Sequence, residues 1–251
     1  MKIIDAHTHI GKQNCYNFQY ETPDDMIHSL KESGISGAVF HPMTGTVAAT
    51  EKDMVNAAEE ALTLCGKHPD FLYPGITIRP EFPDKSLYLM DMFCERGFVW
   101  VGECLSNYGE KILFDDERWM KLFRICAERN LIVQLHNAPD VVRLAKLLPE
   151  LTIVGSHLYP DILPGLVDLS NVVIDISGMH GGLYTHALLH ARSMFGSERL
   201  LFGTDMPGYD QDSFIVRTRR DFPEEEQEAV FSGNLLRLLQ EHNSCPAFGE
   251  K

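Results

Sequence analysis

His7 and His9 are two residues apart at the end of the first apolar run of the chain, 3–6. In an extended strand, side chains two apart point to the same side, so both imidazoles can grip one cation. Four more potential ligands each follow a short apolar run: Glu103 after 98–101, His136 after 131–135, His157 after 152–154 and Asp205 after 200–202. Taken singly, each has an ordinary explanation. An H-x-H pair occurs often by chance, and a histidine after one strand usually makes a structural hydrogen bond. Asp205, before Met206-Pro207, could cap a turn, and Glu103 could be a buried structural carboxylate. Taken jointly, residues that bind metal recur at one end of five runs, and a metal site accounts for all of them. Nitrogen and carboxylate donors together suit zinc, and manganese, iron or nickel would also fit.

Such residues need a scaffold that brings five strand ends to one rim. Eight short apolar or β-branched runs (3–6, 37–40, 72–78, 98–101, 131–135, 152–154, 172–176 and 200–202) alternate with segments of helical period. Several are apolar at consecutive positions, as parallel strands buried on both faces require. The helical segments begin with Thr22-Pro23, an N-cap and a first-turn proline, and that segment ends at Gly34. Others follow at 53–65, 83–96, 115–129, 139–148, 161–169, 184–195 and 223–241. This alternation predicts one (β/α)8 TIM barrel over residues 1–251, with the site at the C-terminal ends of the strands. A doubly wound open sheet would carry a glycine-rich phosphate loop after its first strand, and here that position holds His7-Thr8-His9. The stretches 42–50 and 207–222 are expected as the longer rim loops, and the tail after Glu241 as a frayed end.

Of 251 residues, 44% are hydrophobic and 23% charged, a globular balance. With 22 basic against 36 acidic residues the net charge is −14, which repels phosphate backbones. Arg217, Arg219 and Arg220 make too small a basic cluster to reverse this, so a small-molecule substrate is expected and nucleic acid is not. The six cysteines show no C-x-x-C pairing and are expected as reduced thiols in a cytoplasmic protein. No apolar run approaches the roughly 18–20 residues of a membrane span. A homo-oligomer is compatible with these features.

Asp5-Ala6-His7-Thr8-His9, His136, His157 and Gly203-Thr204-Asp205 resemble the amidohydrolase superfamily, whose ligands follow strands one, five, six and eight in that order. Residues 232–239, Ser-Gly-Asn-Leu-Leu-Arg-Leu-Leu, are similar to the closing helix of its amidohydrolase 2 branch, a mixture of hydrolases and non-oxidative decarboxylases. Val101-Gly102-Glu103 is similar to the bridging glutamate of TatD-like hydrolases, which favours two ions over one, and a supporting role for Glu103 is also open. The opening Asp-x-His-Thr-His also resembles PHP phosphoesterases. Those proteins close on Asp-x-His, whereas here Asp205 precedes Met206-Pro207.

The resemblance implies an enzyme in which Asp205 takes a proton from an activated water and His157 ligates or polarises. The bond cleaved would be a small-molecule amide, lactone, ester or phosphoester. The alternatives are a metal-dependent decarboxylase and a TatD-like phosphoesterase or nuclease. Arg79, which closes strand three, could hold a substrate anion or join a surface ion pair. His41, Tyr159, Tyr108, Asp175 with Ser177, and His180 also fall near the expected mouth, and Arg217 and Arg219 could reach an anion or face solvent. Asp5, one layer below the ligands, is expected to support one of them or to make an internal hydrogen bond.

Overall fold

In the computed structural model, which describes residues 1–11, 20–106 and 110–249, the predicted runs become strands. They are β1 (Ile4–Thr8), β2 (Gly37–Phe40), β3 (Leu72–Pro74), β4 (Trp100–Cys104), β5 (Ile132–His136), β6 (Thr152–Ser156), β7 (Val172–Asp175) and β8 (Leu200–Leu201). All pair in parallel, β1 to β3 as one set and β4 to β8 as another. Two seams join the sets. Ile76 N–H donates to Trp100 O at 2.7 Å, and Gly102 N–H donates to Ile76 O at 2.9 Å. On the other side Ala6 N–H donates to Phe202 O, Asp205 N–H to His7 O and His9 N–H to Met206 O, at 2.7–2.8 Å. The result, among the described residues, is a closed (β/α)8 TIM barrel, as predicted.

Alternation along the strands sorts side chains into two cores. Val101, Val133 and Ile153 pack outward under the helices. Their neighbours Trp100, Ile132 and Val154 join Ile4, Val39 and Leu201 in a separate cluster. β3 is shorter than 72–78 because Pro74 has no N–H to continue the ladder. At Gly75 a Cβ would lie 2.0 Å from His41 Nδ1 and 2.5 Å from Gly102 O, so only glycine fits there.

Several helices carry the expected signals. Pro23–Glu32 starts on a Thr22–Asp25 capping box, and Glu51–Lys67 starts on Thr50 and runs through Gly66. Three expectations are corrected. The predicted helix at 161–169 is only a single 3-10 turn, Leu163–Gly165, since Pro164 and Gly165 disfavour a longer helix. The predicted loop 207–222 contains a helix, Gln211–Asp221, capped by Asp210, whose buried stripe Phe214, Ile215 and Thr218 is masked in sequence by intervening charges. The tail, described as far as Gly249, does not fray. Phe248 is buried against Gly37, Lys2 Nζ donates to Phe248 O at 2.7 Å, and Tyr73 Oη lies 2.9 Å from Ser244 Oγ. Phe248→Ala is therefore expected to cost roughly 3–5 kcal/mol by urea denaturation. A loss below about 1 kcal/mol would mean the tail merely rests on the barrel. Among the described residues no helix is long and apolar enough to cross a membrane.

Candidate metal centre

The six predicted ligands converge at the C-terminal rim. His7 Nε2 lies 3.3 Å from His9 Nε2, and His9 Nε2 lies 3.2 Å from Asp205 Oδ1. Glu103 sits among them with its two oxygens facing different partners. Oε2 is 3.5 Å from both His7 Nε2 and His9 Nε2, whereas Oε1 is 3.1 Å from His136 Nδ1 and 3.6 Å from His157 Nε2. One ligand atom from each of His7, His9 and Asp205 lies within 4.8 Å of the others, and the same holds for His7, Glu103 and His157. Both ring nitrogens of His136 are engaged, Nδ1 with Glu103 and Nε2 with Tyr159 Oη at 3.0 Å.

Local backbone irregularity aims these side chains. Strict alternation from Val101 would turn Glu103 outward, but the β4–β5 register shifts between Val101 and Cys104. A similar shift lies between Asp5 and Thr8 in β1. His157 and Asp205 adopt left-handed φ values of 71° and 66°, a costly conformation that is concentrated at functional sites. Gly178 leaves room beside them, since a Cβ there would meet His157 Nδ1 at 2.5 Å.

The outer ring nitrogens are held from behind. His7 Nδ1 lies 3.0 Å from Asp175 Oδ2, His157 Nδ1 2.9 Å from Ser177 Oγ, and His9 Nδ1 3.1 Å from the carbonyl of His41. Asp5 makes the internal hydrogen bonds expected of it, accepting from Thr204 Oγ1 at 2.6 Å and from the backbone of His7 and Thr204. Burial pushes its pKa up to about 7 despite these donors.

The electrostatics call for positive charge. Burial opposes protonation of His7, yet Asp175 and Glu103 outweigh it and hold its pKa well above the usual histidine range. At His9 burial is likewise outweighed, by Asp205 and Glu103, and the pKa rises to about 9. Burial works to raise Glu103, but His7, His136 and His9 hold it well below the carboxylate range. Buried carboxylates facing imidazole nitrogens form a donor set that fits a divalent cation.

The remaining predicted residues are placed differently. Tyr159 stands beside His136 and lines a cavity of about 230 Å³ with Ser106, Asn137 and Ile162. His41 is buried below the ligands, its Nε2 2.7 Å from Gln134 Oε1, and burial together with His9 and His7 lowers its pKa well below the usual value. Arg79 is also buried and forms a two-pronged ion pair with Glu81, at 2.7 and 3.2 Å, while donating to Thr46 O. Arg217 donates to the carbonyls of Gly182 and Tyr184, pinning the helical segment Gly178–Leu183. His180 lies between Tyr159 and Tyr184, tilted against the first ring and edge-on to the second. Tyr108 lies outside the described residues. Sequence reasoning gave Gln134 no role. The available signal was a polar residue two positions before His136 on a buried strand, where only a bonded amide is stable.

Comparison with solved structures gives matches over nearly the whole chain. An uncharacterised TIM-barrel protein from Bordetella bronchiseptica is 17% identical, with a TM-score of 0.76 over 97% of this chain and 100% of its own. The 5-carboxyvanillate decarboxylase of Sphingomonas paucimobilis is 13% identical, with a TM-score of 0.76 over 95% and 99%. An amidohydrolase from Burkholderia multivorans with bound zinc is 16% identical, with a TM-score of 0.71 over 96% and 99%. At these identities the likeness speaks for the fold. No curated protein sequence matches the chain. The family model for amidohydrolases, in its second form, matches residues 4–240, and the chain accordingly belongs to the amidohydrolase family and is an enzyme of that type.

Proposed function

We propose that this enzyme hydrolyses an amide, lactone or ester bond of a small molecule, with divalent cations, zinc foremost, held by His7, His9, Glu103, His136, His157 and Asp205. The observation that carries the reading is the division of Glu103. One carboxylate oxygen faces His7 and His9 and the other faces His136 and His157, as expected of a group shared between two cations. When bound, such ions lower the pKa of a water from 15.7 to about 7 and polarise the bond under attack.

The chain's own residues do the rest. Asp205 Oδ1, at the inner rim beside His9, takes the proton of the attacking water and returns it to the leaving group. His157, held through Nδ1 by Ser177, keeps Nε2 turned toward Glu103 and the cation-binding space. Tyr159, its hydroxyl 3.0 Å from His136 Nε2, lines the cavity, whose volume of about 230 Å³ suits a small substrate. Thr204 and the register shifts of β1 and β4 hold these groups in place without substrate.

The test is hydrolysis of a panel of small lactones, esters and amides by the zinc- and manganese-loaded enzyme. Turnover that disappears with a chelator and returns with metal supports the reading. Loss of carbon dioxide from an aromatic acid, with the whole hydrolytic panel inert, would replace it with decarboxylation.

A pH effect follows from the carboxylates around His7 and His9. His9, whose pKa is raised to about 9, holds an extra proton at pH 7 in the ion-free chain. A cation needs the lone pair, so loading must release protons and weaken as pH falls. Calorimetry of zinc binding in buffers of different ionisation heat is expected to show net proton release at pH 7. No release would mean the ion binds elsewhere.

A further inference from the structure

Beneath the ligands lies a buried polar chain that the hydrolytic mechanism does not use. Trp100 Nε1 donates to Gln134 Oε1 at 2.9 Å, and the same oxygen lies 2.7 Å from His41 Nε2. Gln134 Nε2 donates to Asp175 Oδ2 at 2.8 Å and to Ala6 O at 3.4 Å. An indole nitrogen can only donate and a carbonyl can only accept, so the amide has one possible orientation. His41 must therefore carry its hydrogen on Nε2.

Asp175 collects the output of this chain. Its Oδ2 faces Gln134 Nε2 and His7 Nδ1, and its Oδ1 accepts from Ser177 N at 3.0 Å, His157 N at 3.2 Å and Ser177 Oγ. With its only hydrogen given to Asp175, the Ser177 hydroxyl can only accept from the imidazoles, at 2.9 Å from His157 Nδ1 and 3.1 Å from His7 Nδ1. Both rings must then bear hydrogen on Nδ1.

We infer that Asp175, oriented by the Trp100–Gln134 pair, is the positioning residue that fixes hydrogen on Nδ1 of both His7 and His157, so that Nε2 of each is the nitrogen turned toward Glu103 and available to a cation. This rests on the metal reading for its purpose, while the hydrogen-bond logic stands without an ion. A single β7 carboxylate thus sets two ligands, His7 on β1 directly and His157 just after β6 through Ser177. In Asp175→Asn the amide has one donating edge. Placed toward His7 and Gln134 it meets two donors, and His7 can respond only by moving its hydrogen to Nε2, where a cation would bind. In Gln134→Glu the side chain keeps its shape but no longer donates to Asp175.

The test uses the full chain with 15N-labelled histidine, as wild type, Asp175→Asn and Gln134→Glu, with zinc ion as probe. Long-range proton–nitrogen spectra identify the ring nitrogen bearing hydrogen, and competition against a chelator measures zinc affinity. The wild type is expected to show Nδ1–H at His7 and His157 and Nε2–H at His41. Asp175→Asn is expected to lose the pattern at His7 and His157 and to bind zinc roughly 10–100-fold more weakly. Gln134→Glu should shift both readouts in the same direction. A purely structural role would lower the melting temperature without moving the hydrogens. Patterns and affinities unchanged in both variants, within about two-fold, would overturn the inference and leave the metal reading intact. Nε2–H without Nδ1–H at His7 or His157 in the wild type would overturn it whatever the zinc affinity. A wild-type chain that binds no zinc yet shows the expected hydrogens would uphold the positioning network and remove the metal reading.

Discussion

Asp205→Asn is expected to lower kcat by roughly 10²–10⁴-fold while most of the bound metal remains. The amide keeps the size of the carboxylate and one oxygen that can still face a cation. It cannot take a proton, so the step that moves hydrogen from water to the leaving group fails. The residue is 8% exposed, open enough to meet a water at the rim, and its left-handed backbone turns the side chain toward His9. Steady-state kinetics with metal content measured on the same samples separates the two roles. Loss of activity in proportion to loss of metal would make Asp205 a ligand alone. Activity retained at full metal content would assign the proton transfer to another group.

The second large effect is expected at Glu103. Elemental analysis of protein purified without chelators or a histidine tag should find close to two ions per chain, falling toward one in Glu103→Ala. The physical reason is the splitting of its oxygens between His7 with His9 and His136 with His157. Without that charge, the imidazoles near Oε1 lose the anion that makes a second cation favourable. A count near one in the wild type, unchanged by the substitution, would leave Glu103 as a hydrogen-bond partner of His136 and raise decarboxylation to equal standing with hydrolysis. No metal, even after reconstitution with zinc or manganese, would remove the proposal.

Much of the architecture was legible in the sequence, because parallel strands buried on both faces must be apolar at successive positions and the barrel places chemistry at their ends. Ile132–His136 and Thr152–Ser156 appear where apolar runs end in polar residues, and the Thr22 cap opens its helix as its chemistry requires. The errors have local causes. Gln211–Asp221 hides its buried stripe among arginines and aspartates, and the segment after Glu241 looks polar although Phe248 is buried and Ser244 bonds Tyr73. Arg79 was assigned either to substrate or to a surface pair. Its partner Glu81, two residues away, lies on the same stretch, and the burial of the pair could not be seen from composition.

Residue order by itself determined that five strand ends carry histidines or carboxylates, and hence that a metal-binding rim was to be sought there. Only the tertiary structure decided which way those side chains point. Strand parity alone would face Glu103 away from the barrel axis, and the shifted register of β4 brings it inward. Tertiary structure alone also joined Trp100, Gln134 and Asp175, which come from β4, β5 and β7, into one hydrogen-bonded chain behind His7. Periodicity reports the face on which a residue lies within its own strand. Hydrogen bonding among three strands depends on barrel closure and stagger, which are set by the packing of the whole sheet.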